Sequence, residues 1–139
     1  MRIAGIDYGD KRIGVSFSDI SGTLAGESFT INVTNPNLAL EQLCKEIISR
    51  GTERIVLGYP KHMNADIGNR AKKSEEIADI LRKKTGLKVV LWDERSTTVD
   101  AHRILSETGY RGSKKRRAKV DTVAAALILQ GYLDYLAMH

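Results

Sequence analysis

Three acidic residues, Asp7, Glu94 and Asp121, occupy positions where carboxylates could meet in a folded chain. Asp7 and Glu94 each come at the end of a short apolar segment, and Asp121 shares a helical stripe with small apolar residues. A cluster of carboxylates repels itself unless cations lie within it, and oxygen donors favour Mg²⁺ or Mn²⁺. Two such ions about 4 Å apart activate water and stabilise the leaving oxygen of a phosphodiester. We therefore predict that the three acids are metal ligands and catalytic residues for phosphodiester hydrolysis.

Each acid also has an ordinary structural interpretation. Asp7 can begin a turn, and Glu94 can belong to a solvated charge cluster before a helix. An acid in the first turn of a helix, as predicted for Asp121, is favoured by the helix dipole. Asp93 adjoins Glu94, and the sequence period does not decide which of the two points inward. The metal hypothesis therefore depends on whether the fold brings the acids together.

Basic residues suggest a polyanionic partner, since the chain carries a net charge of +5. Residues 109–119 hold six basic side chains and no acid, and we expect them to form a loop before the last helix. Such a run can also be a solvated loop without a ligand. The residues predicted to contact nucleic-acid phosphates are Lys11, Arg12, Arg95, Lys114, Lys115, Arg116, Arg117 and Lys119.

The elements that must position these groups begin with three strands. Short apolar segments separated by turn residues predict strands at residues 2–7, 13–18 and 25–31, paired as an antiparallel meander. Asn35 followed by Pro36 then predicts the start of a helix, with Gly51 as its stop.

Strands and helices alternate after this first helix. Continuous apolar segments predict buried strands at 54–59 and 88–92, and helical periodicity predicts helices at 66–85, from Ser96 or Thr97 to Gly109, and from about 119 to about 136. Helical crossovers imply parallel pairing. The prediction is an α/β fold with a mixed five-stranded sheet flanked by helices.

The composition narrows the class of protein. A chain of 139 residues with 42% hydrophobic and 28% charged residues is typical of one globular domain, here expected to span residues 1–139. No apolar stretch is long enough for a membrane span, and no secretory signal is recognisable, so we expect a cytoplasmic protein. Cys44, the single cysteine, has helical spacing with apolar residues and is predicted to be a buried thiol.

Four motifs resemble the YqgF/RuvX-like family over nearly the whole chain. They are GIDYGDKRIGV at residues 5–15, GYPKHMN at 58–64, DERSTT at 93–98, and KVD at 119–121 followed by three alanines at 124–126. Members are ribonuclease H-like proteins, distantly related to RuvC-type Holliday junction resolvases. In this chain Tyr59 replaces a leucine, and His62 and Ala65 occupy the outer positions of a motif usually written Asn-Met-x-Gly. None of these departures affects the three acids, so we expect them to change how the substrate fits rather than how it is hydrolysed.

The resemblance implies a ribonuclease H-like fold, a divalent metal and an acidic triad at Asp7, Glu94 and Asp121. It also implies a cytoplasmic bacterial nuclease that matures the 5′ end of precursor 16S rRNA, with a ribosomal particle as a candidate partner. Resolution of branched DNA is the alternative, and the oligomeric state, monomer or homodimer, is left open.

Two functions from other classes remain. Asp7-Tyr8-Gly9 before a hairpin also resembles the phosphate loop of the actin, sugar kinase and Hsp70 superfamily. Those proteins clamp ATP between two domains, whereas one domain is expected here. The second function is that of a non-enzymatic RNA-binding factor of ribosome assembly. The complete acidic triad argues against this function.

Overall fold

The computed structural model describes residues 1–59, 65–93 and 113–138, with the side chains of 65–67 and 113–121 excepted. It contains a five-stranded sheet, with β1 at Ile3–Tyr8, β2 at Arg12–Ser18, β3 at Ala25–Asn32, β4 at Arg54–Tyr59 and β5 at Lys88–Asp93. Its helices are α1 at Pro36–Ser49, α2 at Ala65–Thr85 and, from the last described segment, α3 at Ser113–Met138. The helix predicted to end at Gly109 lies outside the described residues.

The sheet has the order β3-β2-β1-β4-β5. The β1–β2 and β2–β3 pairs are antiparallel, as the predicted meander requires. The β1–β4 and β4–β5 pairs are parallel, as expected for strands joined by helical crossovers. The predicted mixed α/β sheet is thereby confirmed, and β1 is its central strand.

Helix α1 begins as the sequence predicts. The Asn35 side-chain oxygen accepts hydrogen bonds from the backbone N–H groups of Asn37 and Leu38, and Pro36 is the first helical residue. Gly51, with φ of +67°, follows the helix in a conformation that glycine adopts without steric cost. Cys44 is buried on the inner face of α1, which confirms that prediction.

Two hydrophobic cores lie on opposite faces of the sheet. Helices α1 and α2 cover one face, where Ile6, Leu43 and Leu81 are fully buried. Helix α3 covers the other face, where Ile3 and Leu129 are fully buried. The apolar strands β1 and β4 are therefore buried on both faces.

The start of the last helix was predicted wrongly. Helix α3 begins at Ser113 rather than near Lys119, so the basic residues from Lys114 to Lys119 belong to the helix and not to a loop before it. Lysine, arginine and alanine are all good helix formers, and a run of like charge does not prevent helix formation when the rest of the helix is anchored. Asp121 is consequently well inside α3, beyond the first turn.

Candidate active site

The candidate site lies at the edge of the sheet where three parallel strands end. Strands β1, β4 and β5 run in the same direction, so their last residues Tyr8, Tyr59 and Asp93 lie along one edge. Ligands of α/β proteins commonly bind outside this carboxyl edge. Asp7 is the penultimate residue of β1.

Asp7 lies on the face of the sheet that α3 covers. Successive residues of a strand point to opposite faces, so Ile3, Gly5 and Asp7 share one face. Ile3 packs in the core beneath α3, whereas Tyr8 packs against the core on the opposite side. The Asp7 side chain is half-buried. Asp7 therefore belongs to the same side of β1 as Ile3 and Gly5.

Glycines flank Asp7 in both neighbouring strands. Gly14 of β2 is its partner in the β1–β2 register. In β4, continuing the Ile6–Leu57 register by one residue brings Gly58 beside Asp7. A glycine contributes no side chain to either face, so these two positions leave Asp7 without a bulky neighbour in the sheet.

Helix α3 runs antiparallel to β1, as a series of contacts establishes. Tyr132 lies near the start of the parallel strands, where its hydroxyl accepts a 2.8 Å hydrogen bond from the Arg54 guanidinium. About one and two turns towards the helix N-terminus, respectively, Leu129 and Ala125 lie over Gly5. The helix N-terminus therefore points towards the edge at which Asp7 lies.

Asp121 precedes Ala125 by four residues in α3, and Asp7 follows Gly5 by two residues in β1. From Gly5 to Asp7 the strand advances about 6–7 Å, at about 3.3 Å per residue. From Ala125 to Asp121 the helix advances about 6 Å in the same sense, at about 1.5 Å per residue. The backbone of Asp121 is thus one helical turn from Ala125, on the side of the helix N-terminus. Because it is not in the first turn, a favourable dipole interaction does not account for this acid.

Gln130 holds the C-terminal half of α3 in this register. Its side-chain oxygen accepts a 2.9 Å hydrogen bond from the Ala25 backbone, and its amide nitrogen donates to the Thr23 carbonyl at 3.1 Å. Together with the Arg54–Tyr132 bond, these contacts fasten the helix to two distant strands. Sequence analysis did not identify them, because they join residues more than seventy positions apart.

Glu94 and Arg95 lie outside the described residues, directly after β5. Lys11 is exposed and Arg12 is partly exposed at the β1–β2 hairpin, which also holds Asp10. The Arg12 carbonyl accepts a hydrogen bond from Gly9, closing this hairpin beside Asp7. The remaining predicted nucleic-acid contacts, Lys114, Lys115, Arg116, Arg117 and Lys119, belong to the first two turns of α3.

Two aromatic residues border this region. Trp92 is level with Gly58 and packs edge-on against Tyr132, with ring centroids 5.4 Å apart. It therefore belongs chiefly to the core beneath α3. The Tyr8 pKa is raised by burial and by the nearby Asp10 carboxylate, so this phenol stays protonated at neutral pH.

The sequence matches the RuvX family, described as a Holliday junction resolvase, over residues 1–135. The chain belongs to this family. A protein of Agathobacter rectalis named "Putative pre-16S rRNA nuclease" is 46% identical, with 99% of this chain and 97% of that protein covered. A protein of the same name from Halothermothrix orenii is 45% identical, with 97% and 96% covered. The resemblance stated from the four motifs is thus confirmed, and the family is one of nucleases.

Solved structures share the fold. RuvC of T. thermophilus, in complex with a Holliday junction substrate, has a TM-score of 0.63 at 12% identity and covers 99% of this chain and 96% of its own. The fowlpox virus resolvase, in complex with Holliday junction DNA, has a TM-score of 0.59 at 13% identity, with 98% and 99% covered. The ribonuclease H-like architecture is confirmed by these similarities. In the described segments, every helix is too short or too polar to cross a membrane.

Proposed function

We propose that this protein is a divalent-metal-dependent nuclease that hydrolyses phosphodiester bonds in structured RNA. Its substrate is the 5′ leader of precursor 16S rRNA, in keeping with the name of the two relatives at 45–46% identity. Asp7, Glu94 and Asp121 form the catalytic site. A cytoplasmic location and a ribosomal particle as partner follow from this substrate.

The observation that carries the proposal is the antiparallel course of α3 over β1. The contacts of Tyr132 with Arg54, and of Ala125 with Gly5, fix the direction and level of the helix. By this course, the Asp121 backbone would lie towards the same end of the sheet as Asp7. In the proposed site, two acids distant in sequence act together at the edge where α/β proteins bind ligands.

The donors at this edge fit a hard divalent cation. Among the described residues near the ends of β1 and β5, Asp7 is the acid on the α3 face, since Asp93 belongs to the opposite face and Asp10 to the exposed hairpin. Cys44, the only thiol of the chain, is buried in α1 on the other side of the sheet. Oxygen donors without sulfur favour Mg²⁺ or Mn²⁺. When bound by Asp7, Glu94 and Asp121, such ions would supply an acidified water and a counter-charge for the leaving oxygen.

Glu94, rather than Asp93, is the third acid of the site. Val90 and Trp92 pack on the α3 side of β5, whereas Val89 and Leu91 pack on the α1–α2 side. By this alternation Asp93 belongs to the face opposite Asp7. Glu94 is the next acid in the chain, and the family motif also assigns it to the triad.

The basic side chains would hold the substrate. Lys114, Lys115, Arg116, Arg117 and Lys119 precede Asp121 in α3, on the half of the helix that points to the site edge. Lys11 and Arg12 belong to the hairpin next to Asp7, and Arg95 follows Glu94. Contacts of this kind bind phosphates without reading sequence, and they weaken with salt.

Resolution of four-way DNA is the second candidate, because the family is described as a Holliday junction resolvase. Symmetric cleavage of a junction needs two active sites, so this activity would require a homodimer. Processing of one rRNA end is compatible with a monomer. A non-enzymatic role in ribosome assembly is the third candidate.

A cleavage assay with Mg²⁺ or Mn²⁺, at low and moderate salt, separates these functions. The substrates are the precursor 16S rRNA 5′ leader and a four-way DNA junction, and the proteins are wild type, Asp7→Asn and Asp10→Asn. Asp10 is an exposed acid of the same hairpin and provides the matched control. We expect cleavage of the RNA by wild type and Asp10→Asn but not by Asp7→Asn, which should still fold and bind RNA.

Retained cleavage by pure Asp7→Asn protein would refute the assignment of the site. Paired symmetric nicks in the junction would favour the resolvase. Binding of both nucleic acids without cleavage of either would favour the assembly factor.

A further inference from the structure

An aromatic cluster lies where α3 passes beside β5. Trp92 of β5 packs edge-on against Tyr132 and at a tilt against Tyr135, with ring centroids 5.4 Å apart in both pairs. The rings of Tyr132 and Tyr135 are inclined by 28°, with centroids 6.5 Å apart. Tyr132 is buried, Trp92 is partly exposed and Tyr135 is 46% exposed. The cluster therefore has one side in the core and another side open to a ligand.

Two cations border the cluster on the same face of the sheet. Arg54 and Lys88 are partners in the β4–β5 register, and Lys88 is exposed. The partly buried Arg54 guanidinium donates a hydrogen bond to the Tyr132 hydroxyl, and its buried Nε has no hydrogen-bond partner within the described residues. Buried polar groups are normally satisfied. A phosphate would supply acceptor oxygens to this guanidinium and to the neighbouring lysine.

The cluster lies on the same face of the sheet as Asp7. Trp92 is level with Gly58 in the β4–β5 register, and Gly58 is beside Asp7 when the β1–β4 register is continued. Two strand spacings, about 10 Å, therefore separate the backbone of Trp92 from that of Asp7. One RNA chain can contact the cluster and the proposed site at the same time.

We infer that Trp92, Tyr135, Arg54 and Lys88 form an aromatic subsite for an unpaired nucleotide of RNA. The exposed Tyr135 ring stacks on the base, and the two cations contact phosphates. The inference rests on the proposed function, because it takes RNA as the ligand, and it adds that the bound RNA has an unpaired nucleotide near the cleaved bond. Bases inside a duplex are already stacked on their neighbours, so the aromatic subsite selects single-stranded RNA.

The fluorescence of Trp92 reports on this subsite directly, since it is the only tryptophan of the chain. Wild type is titrated with a short single-stranded RNA and with a blunt duplex of the same sequence, without divalent metal so that neither is cut. We expect the single strand to change the Trp92 emission and the duplex to leave it unaltered. The basic half of α3 should contribute to the binding of both.

Variants of Tyr135 test the stacking. Tyr135→Ala removes the exposed ring and should lower the affinity for the single strand by about 5- to 100-fold, the range expected when one stacked base loses its platform. Its affinity for the duplex should stay at the wild-type value. Tyr135→Phe retains the ring and should bind the single strand nearly as tightly as wild type.

Lys88→Gln tests the phosphate contact by a separate measurement. For the single strand, the slope of log K against log salt concentration should become shallower by about 0.7. Leu38→Ala is the matched control for Tyr135→Ala, because Leu38 is a large side chain, 62% exposed, of α1 on the opposite face of the sheet. It should change neither the affinity nor the Trp92 emission.

Wild-type affinity of folded Tyr135→Ala for the single strand would overturn the inference, as would an equal loss in Tyr135→Phe. If Tyr135→Ala does not fold, the Trp92 emission of wild type and the salt slope of Lys88→Gln decide instead. RNA binding that leaves the Trp92 emission unchanged would reject the subsite, favour a protein as the occupant of this surface, and leave the proposed function standing. If wild type binds neither RNA, the proposed function fails first.

Discussion

Leu91 and Trp92 are consecutive residues of β5 whose side chains enter the two different cores of the protein. Leu91 packs against the core beneath α1 and α2, and Trp92 packs beneath α3 against Tyr132. This pair determines which face of the sheet each remaining residue of β5 occupies, because side chains alternate along a strand. Asp93 therefore shares the face of Leu91, away from Asp7.

Asp93 and Glu94 should differ sharply when each is replaced by its amide. Glu94→Gln is expected to lower the cleavage rate by more than about 100-fold, since even residues that only orient a metal ligand are worth about 10–100-fold. Asp93→Asn should retain most of the activity, because it belongs to the opposite face. The measurement is kcat under saturating Mg²⁺. The reverse result would show that the strand alternation does not identify the third acid.

The basic N-terminal half of α3 should determine how RNA binding depends on salt. Each phosphate contact that is removed should reduce the slope of log K against log salt concentration by about 1. The double variant Lys114→Gln/Lys115→Gln should therefore have a slope shallower by about 2, whatever the RNA sequence. Binding is measured by fluorescence anisotropy from low to moderate salt.

Lys83→Gln/Lys84→Gln is the matched control for this experiment. These exposed lysines lie at the end of α2, beside the opposite edge of the sheet from Asp7. The control has the same change in net charge and should leave the slope unaltered. Equal effects of the two double variants would mean that binding follows net charge rather than a defined surface.

Tyr132 should contribute to stability through its hydroxyl group. The Arg54 guanidinium donates a 2.8 Å hydrogen bond to this hydroxyl, and within the described structure the buried Nε of Arg54 has no hydrogen-bond partner. Tyr132→Phe leaves the guanidinium less satisfied, which should lower the free energy of unfolding by about 1–3 kcal/mol. Urea unfolding measures this change. An unchanged midpoint and slope would indicate that solvent replaces the hydroxyl without loss.

Asp19 should make the stability depend on pH in the acid range. The Ser21 hydroxyl and the backbone N–H groups of Thr23 and Leu24 donate hydrogen bonds to its carboxylate, and they lower its pKa below the ordinary value of 3.8. A pKa lowered by folding contributes stability that is present above pH 3.8 and is lost as the pH falls through the folded-state pKa.

Asp19→Asn removes this contribution of charge while retaining an acceptor oxygen. The variant should be less stable than wild type at neutral pH, and the difference should shrink as the pH falls below about 3.8. Thermal unfolding of both proteins from pH 7 to pH 2.5 gives the comparison. A difference that stays constant through this range would exclude the carboxylate charge as its cause.

Much of the fold was accessible from local sequence signals. Asn35 and Pro36 specify the start of α1. The Asn35 side chain accepts hydrogen bonds from backbone N–H groups of the first turn, and Pro36 has no N–H group that would need an acceptor. The parallel strands were predicted from continuous apolar segments, because burial on both faces removes the polar alternation. These features depend on residues close together in the chain.

The candidate site depends on contacts between residues that are far apart in the sequence, and local sequence patterns do not reveal such contacts. The basic run at 114–119 predicted a loop, yet these residues continue a helix whose position is fixed by contacts at Gly5 and Arg54. Neither glycine nor arginine indicates by its type that a helix passes over it. The direction in which α3 passes over β1, and the face of Asp93, emerged only from the contacts of α3 and the register of β5.

The central place of β1 has a consequence for the order in which the protein is made. Strand β1 is synthesised first, but its parallel partner β4 begins at Arg54, and α3, which covers its other face, begins at Ser113. A nascent chain therefore carries Asp7 long before it has the helix that carries Asp121. Since distant contacts form late and incomplete domains expose apolar surface, unfinished chains should be recognised by chaperones rather than act on RNA. Nuclease activity would thus begin only after the last helix has been synthesised.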